Sequence, residues 1–229
     1  GPTNEPDLDL TVGLGPLDLD GLQPLAELPL TGVVAAALRV RGTLDAMAIE
    51  GQIDLPQGAI ELDLRGDLRA RPLTYGGTLG LNEVDLSSFL TVGPGVPEGP
   101  AVGLPGRLTG RLDIRAEGTR ADELKGQLEA TFGVSELLGY GVDSLSLRAS
   151  VEPRLEIELQ QLQLSSPLGA ADLHGWSRVG EGRFGVAGQL TGVQLQQVGD
   201  RVGVAGLGGV AAADLDATGG WGGASGFWV

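Results

Sequence analysis

The sequence predicts an all-β chain of mainly antiparallel strands, and three observations predict it. Apolar and polar residues alternate strictly in several separate stretches. Short breaks built from 40 glycines and 13 prolines separate those stretches. No long segment holds helical spacing without a glycine in its interior. Successive strand side chains point to opposite faces, so period-two alternation gives one apolar and one polar face. A helix would scatter the same residues around its circumference. The short Gly, Pro, Asp and Ser connections suit hairpins rather than helical crossovers.

Taken in order, Val34, Ala36, Leu38 and Val40 form the first apolar row. Residues 60–70 give the clearest pattern, with Ile60, Leu62, Leu64, Gly66, Leu68 and Ala70 alternating against Glu61, Asp63, Arg65, Asp67 and Arg69. Residues 111–117 repeat it through Leu112, Ile114 and Ala116. In residues 124–134, Leu124, Leu128 and Phe132 also fit helical spacing, but Gly126 and Gly133 oppose a helix interior, so a strand is predicted. Leu145, Leu147, Ala149 and Val151 follow, and then residues 154–160 set Leu155, Ile157 and Leu159 against Glu156 and Glu158. After Gln160 the parity changes and Leu162 and Leu164 carry the apolar face, which implies a bulge or tight turn. Phe184, Val186, Gly188 and Leu190 make the last row.

The breaks contain a repeat. An apolar-x-Leu-x-x-apolar pattern occurs at residues 17–22, 84–89 and 193–198, each followed by a Gly/Pro-rich stretch and then Leu-x-Gly at Leu30, Leu108 and Leu207. After the first two copies a strand ends in Gly-Thr, at Gly42-Thr43 and Gly118-Thr119. Gly-Gln-apolar-acidic follows, from Gly51 and from Gly126. The third copy opens at Val210 with an alanine run that echoes the one after Val34. Repeats are therefore expected to start near 30, 108 and 207 within one segment, 3–218, and to differ in the strands they insert. Residues 219–229 read as a Gly-rich tail, and Gly1-Pro2 as the remnant of a cleaved tag. The chain is thus expected to be part of a longer protein, with any anchor or targeting segment outside it.

Composition narrows the chemistry. Thirty acidic against 15 basic residues give a net charge of −15, which argues against nucleic acid, whose phosphates need a basic face. With no cysteine there is no thiolate ligand or nucleophile. The longest apolar run, 33–38, is far too short to cross a bilayer. His174 is the only histidine, so zinc cannot be ligated, and a surface or turn position is the plainer reading than a catalytic triad. The carboxylate pairs Asp7/Asp9, Asp18/Asp20, Glu61/Asp63 and Asp214/Asp216 match no calcium loop and read as solvated strand faces between buried leucines. The Gly-rich stretch 203–209 lacks the Lys-Ser/Thr of a phosphate loop and reads as a connection. Trp176, Trp221 and Trp228 are candidates for facing lipid. No enzymatic activity, metal or cofactor is expected.

The succession of apolar-Asp-Leu-x-x-apolar, loop, Leu-Thr-Gly, strand and Gly-Thr resembles the AsmA/TamB superfamily of bacterial envelope proteins, as do residues 137–151, 155–159 and 169–175. The resemblance covers most of 7–218 and carries no catalytic signature. It implies a long sheet rolled into a taco-like trough with an apolar interior, placed in the periplasm or cell envelope. It also implies bridge-like transport of phospholipid between inner and outer membranes, with the membrane anchor outside this segment. The groove would be lined by Val34, Ala36, Leu38, Val40, Ile60, Leu62, Leu64, Leu68, Leu112, Ile114, Leu128, Phe132, Leu145, Leu147, Leu155, Ile157, Leu159, Phe184, Val186 and Leu190. Its partners would be phospholipid acyl chains and, through the full-length chain, an outer-membrane β-barrel protein. The alternatives are an assembly factor that pairs its sheet edge with such barrels, and a β-solenoid spacer. A wall of Leu, Val, Ile and Ala is smooth and suits flexible chains, whose burial contributes about 0.8 kcal/mol per methylene. About 14 strands spaced roughly 4.8 Å apart would extend on the order of 65 Å.

Overall fold

The computed structural model describes residues 7–18, 33–85, 106–120, 122–137, 140–197, 206, 208–222 and 226–228. The chain is all-β. Its strands are β1 (Leu8–Asp18), β2 (Val33–Thr43), β3 (Ala46–Asp54), β4 (Ala59–Asp67), β5 (Thr74–Asp85), β6 (Gly106–Glu117), β7 (Lys125–Phe132), β8 (Ser135–Leu137), β9 (Tyr140–Val142), β10 (Ser144–Glu152), β11 (Glu156–Ser166), β12 (Gly169–Arg178), β13 (Arg183–Gln194), β14 (Val210–Gly222) and β15 (Gly226–Trp228). The described residues hold 15 strands against the 14 or so expected, and β8, β9 and β15 are three residues long. A 3-10 turn at Val179–Glu181 joins β12 to β13.

The chain divides into two compact units, Gly1–Asp113 with Phe132–Tyr140, and Ile114–Thr131 with Gly141–Val229. In the first, hydrogen-bonded neighbours run β1-β2-β3-β4-β5-β6, with β8 on β6; in the second they run from β7 through β10 to β15 in chain order. Both orders are linear, so the sheet is open rather than closed into a barrel, and its strand pairs are antiparallel.

Register follows from parity. In the first unit Val12 pairs with Leu38, Leu38 with Gly51, Gly51 with Leu62 and Leu62 with Leu79. The adjacent row runs Leu14, Ala36, Ile53, Ile60, Leu81, and the next Leu10, Val40, Ile49, Leu64, Gly77. In the second unit the rows run Leu145, Leu164, Ala171, Leu190, Ala213 and Leu147, Leu162, Leu173, Gly188, Leu215. A one-residue slip at any strand would turn its leucines to the charged face, and this pins the register.

The parity change after Gln160 is a bulge. The pairing of β11 shifts against β10 between Arg148 and Ala149, and against β12 between Leu159 and Leu162. One extra residue in β11 brings Leu162 and Leu164 to the face already held by Ile157 and Leu159. Within 124–134, Lys125–Phe132 is likewise strand, as β7.

Two strand ends differ from expectation. β4 stops at Asp67 because the Asp67 carboxylate accepts the backbone N–H groups of Arg69 at 2.8 Å and Ala70 at 2.9 Å, an Asx turn that bends the chain away. β11 starts at Glu156, since Glu152 already pairs with Glu156 and the intervening Pro153, Arg154 and Leu155 form the hairpin loop.

The repeat signatures fall at equivalent structural places. Leu17-Asp18, Val84-Asp85 and Val193-Gln194 are the last two residues of β1, β5 and β13. Gly42 and Gly118 both have positive φ, 102° and 86°, where the chain leaves β2 and β6. A Cβ would lie 2.2 Å from the Ala46 carbonyl oxygen at Gly42 and 2.7 Å from that of Glu123 at Gly118, so each hairpin requires glycine. The remaining segments of these motifs, 19–32, 86–105 and 198–205, and Leu207 lie outside the described residues.

Candidate functional site: the apolar sheet faces

Each unit presents a face of aligned aliphatic side chains. In the first, Val34, Ala36, Leu38, Val40, Ile60, Leu62 and Leu64 share one face by register. Leu112 joins it, because its neighbours point the other way. Asp113 accepts a 2.9 Å hydrogen bond from Thr78 Oγ1, and Arg111 donates to the same hydroxyl at 2.8 Å, on the charged side of β5 and β6. In the second unit Leu145, Leu147, Ile157, Leu159, Phe184, Val186 and Leu190 share one face. Leu128 sits on the same face, since the adjacent Glu129 bonds Arg148 at 3.3 Å on the polar side. Ile114 has the parity of Leu112 along β6, and Phe132 that of Leu128 along β7. Ile114 belongs to the second unit and Phe132 to the first, so the lining residues form two sets.

Two expected lining residues are elsewhere. Leu68 lies beyond the end of β4, 37% exposed, and its backbone N–H donates to the Leu44 carbonyl at 2.7 Å in the bend that Asp67 creates. Leu155 sits in the β10–β11 hairpin with φ 58°, outside the ladder.

The faces are only partly covered. Among the described residues Val84, Leu108, Ala130, Val142 and Ala149 are the buried apolar ones, and no large side chain is fully buried. Most of the aliphatic rows are half-buried, flanked by their cross-strand neighbours. A sandwich would press a second sheet on such a face and bury it.

The opposite faces carry the charge. In the first unit Arg39 bonds Asp9 bidentately, at 2.9 and 2.6 Å, and Arg41 bonds Glu50 at 2.5 Å, tying β1 to β2 and β2 to β3. The Arg39 hydrogen bond holds the Asp9 carboxyl below its ordinary pKa, and Asp9 in turn raises that of Arg39. These pairs are exposed and screened by solvent, so they add little to stability and mainly keep the face hydrated. Glu61 and Asp63 lie on this face, and Asp214 and Asp216 on the corresponding face of the second unit, all exposed. Among the described residues no group of three or more potential metal ligands occurs.

His174 is exposed on the polar face inside β12 rather than at a turn. Trp176 is two residues on and therefore also on the polar face, not toward the aliphatic rows. Its ring lies over Gly185, where an added Cβ would come within 2.6 Å of the indole nitrogen, and the Arg178 guanidinium stacks 5.2 Å from its centroid. The tryptophan is placed by this pair, not by lipid. Nothing is described for the side chains of Trp221 and Trp228.

Several aliphatic residues of the faces were not anticipated, notably Leu8, Leu10, Val12 and Leu14 of β1, with Ile53 and Leu79. The same alternation marks β1, and its leucines are not buried between the acidic residues as expected but 42 to 52% exposed. In β3 and β5 the pattern is broken by Gly51 and by Gly76-Gly77, which hid it. The chain matches no protein-family model, no curated protein and no solved structure.

Proposed function

We propose that this chain is a segment of a bridge-like lipid conduit of the AsmA/TamB type, in which the aliphatic faces curl to form an apolar groove that carries phospholipid acyl chains between two membranes. The observation that carries this reading is the aliphatic face of each unit, only half-buried among the described residues, aligned across strands and free of charged side chains along Leu147, Leu162, Leu173, Gly188 and Leu215 and along Val12, Leu38, Gly51, Leu62 and Leu79. Acyl chains have no polar groups to orient, so a wall without directional contacts lets them slide, while headgroups remain in water. Each methylene covered by the wall contributes about 0.8 kcal/mol. The groove acts in the periplasm, and no residue performs covalent chemistry.

The test is solvent extraction of detergent-free protein followed by lipid mass spectrometry. Wild-type protein should yield phospholipid, Leu62→Asp and Leu147→Asp should lose most of it, and Asp63→Asn on the charged face should keep it. Folding of each variant is checked by circular dichroism. A folded wild-type protein that carries no lipid and takes up none from vesicles would sink the reading.

A further inference from the structure

In the first unit the strands β1 to β5 end differently on their two sides. At the β2–β3 hairpin and the β4–β5 connection, the last row on the aliphatic face is Leu8, Gly42, Met47, Gly66 and Tyr75. Tyr75 is 39% exposed, and Leu44 and Leu68 beyond the row are 40% and 37% exposed. The connection then places two exposed arginines, Arg69 and Arg71, just past these apolar residues. Arg71 is held in place, because its Nη1 donates to the carbonyls of Leu68 at 3.1 Å and Ala70 at 2.8 Å. Its Nε and Nη2 donors, the edge of the guanidinium that grips a phosphate bidentately, face no carboxylate among the described residues.

The other charges at this end are engaged. Asp67 accepts the backbone N–H groups of Arg69 and Ala70, while Asp45 accepts the Thr43 hydroxyl and lies in the field of Arg69. Arg41 and Arg65 are on the polar face with Glu50 and Asp63. At the opposite ends of β1 to β5 the charged residues are Asp18, Asp54, Glu83 and Asp85, and none of the described ones is basic. Arg107, at the start of β6, stands there opposite Glu136.

We infer that Arg69 and Arg71 hold the phosphate of a phospholipid whose acyl chains lie along β4 and β5 on the aliphatic face. The inference rests on the reading of that face as a lipid groove and adds the direction in which the lipid lies. From the arginines the chains pass Tyr75 and Leu64, then Leu62 and Leu79, toward Ile60 and Leu81. The nine residues of β4 extend roughly 30 Å, about the hydrocarbon thickness of a whole bilayer, so a single acyl chain fits lengthwise. Tyr75 suits the boundary, with an apolar ring and a polar hydroxyl. The reverse orientation would set the phosphate among Asp54, Glu83 and Asp85, which repel it. Every phospholipid carries the phosphate, so the contact does not require an anionic headgroup.

The probes are a fluorescent phosphatidylcholine and a fluorescent diacylglycerol with the same acyl chains, each offered in neutral vesicles. Arg69→Gln with Arg71→Gln should lower phosphatidylcholine uptake about tenfold, the order of losing charge-assisted hydrogen bonds, and leave diacylglycerol uptake unchanged. Unchanged diacylglycerol uptake also shows that the variant is folded. Arg39→Gln with Arg111→Gln removes the same charge from the polar face of this unit and should change neither. With the wild-type chain, glycerophosphocholine, the headgroup without chains, should not compete even in large excess. Competition by it would make the arginines a site for free phosphate esters and overturn the inference. So would a double variant that takes up both lipids like the wild type, or one with wild-type circular dichroism that loses both in proportion, and either result leaves the groove standing. A wild-type chain that takes up neither lipid removes the groove itself, and the arginine site with it.

Discussion

Arg154 and Leu155 show how a single side chain sits against its backbone. Both have left-handed φ, 70° and 58°, without being glycine, in the hairpin between β10 and β11. Such residues cost on the order of 1–3 kcal/mol where nothing compensates them. Arg154 is exposed and is given no compensating contact by the fold's ladder, whereas Leu155 keeps part of its side chain covered. Asparagine tolerates this region far better than arginine and adds no glycine-like entropy to the unfolded chain. Arg154→Asn should therefore stabilise the protein by about 0.5–1 kcal/mol, read as a higher urea midpoint at unchanged slope. Arg154→Val, with a β-branched side chain forced to positive φ, should lower the midpoint. The sequence expectation of a strand through 154–160 failed here because a leucine two residues before Ile157 keeps the parity of a strand whether or not its backbone is in the ladder.

At the scale of the element, the bulge in β11 performs a phase change. With Gln160 present, two residues oppose one on β12, and the apolar set moves from the odd positions Ile157 and Leu159 to the even positions Leu162 and Leu164 without leaving its face. Deleting Gln160 would remove the extra residue and leave strict alternation through Leu159, Gln161 and Leu162. That deletion should cost no more than about 1 kcal/mol, since no side chain changes face. Deleting Glu158 instead sets Ile157 beside Leu159 and turns one of them to the charged side, and it should cost several times as much. Urea unfolding of the two single-residue deletions decides it, and equal losses would mean that the bulge serves more than parity. This phase change was legible in the sequence because apolar side chains on both sides of it are leucine or isoleucine. The end of β4 was not. Leu68 and Ala70 continue the alternation of Ile60, Leu62 and Leu64, and only the Asp67 side chain capturing two backbone N–H groups shows that the strand has stopped. Trp176 was misplaced for a related reason, since an aromatic on a polar face is explained only by its ring partners, Gly185 and Arg178.

For the whole molecule, the separation of charge from the aliphatic faces sets how a conduit of this kind would meet a membrane. The chain carries a net charge of −15, while the rows Val12, Leu38, Gly51, Leu62, Leu79 and Leu147, Leu162, Leu173, Gly188, Leu215 hold only apolar side chains and glycine. An anionic bilayer should therefore repel the protein at long range, although under the proposed function its acyl chains would be taken up by the aliphatic face. Repulsion over that range is screened as salt shortens the Debye length, about 10 Å at 0.1 M, whereas acyl-chain burial changes little over the same interval. Uptake of a fluorescent phospholipid from phosphatidylglycerol vesicles should thus rise several-fold between about 20 and 200 mM salt, and uptake from neutral phosphatidylcholine vesicles should stay nearly constant. Leu147→Asp should depress both at every salt concentration, because it acts on the face and not on the approach. Salt-independent uptake from anionic vesicles would place the rate-limiting step after encounter, at insertion of the acyl chain between the aliphatic rows.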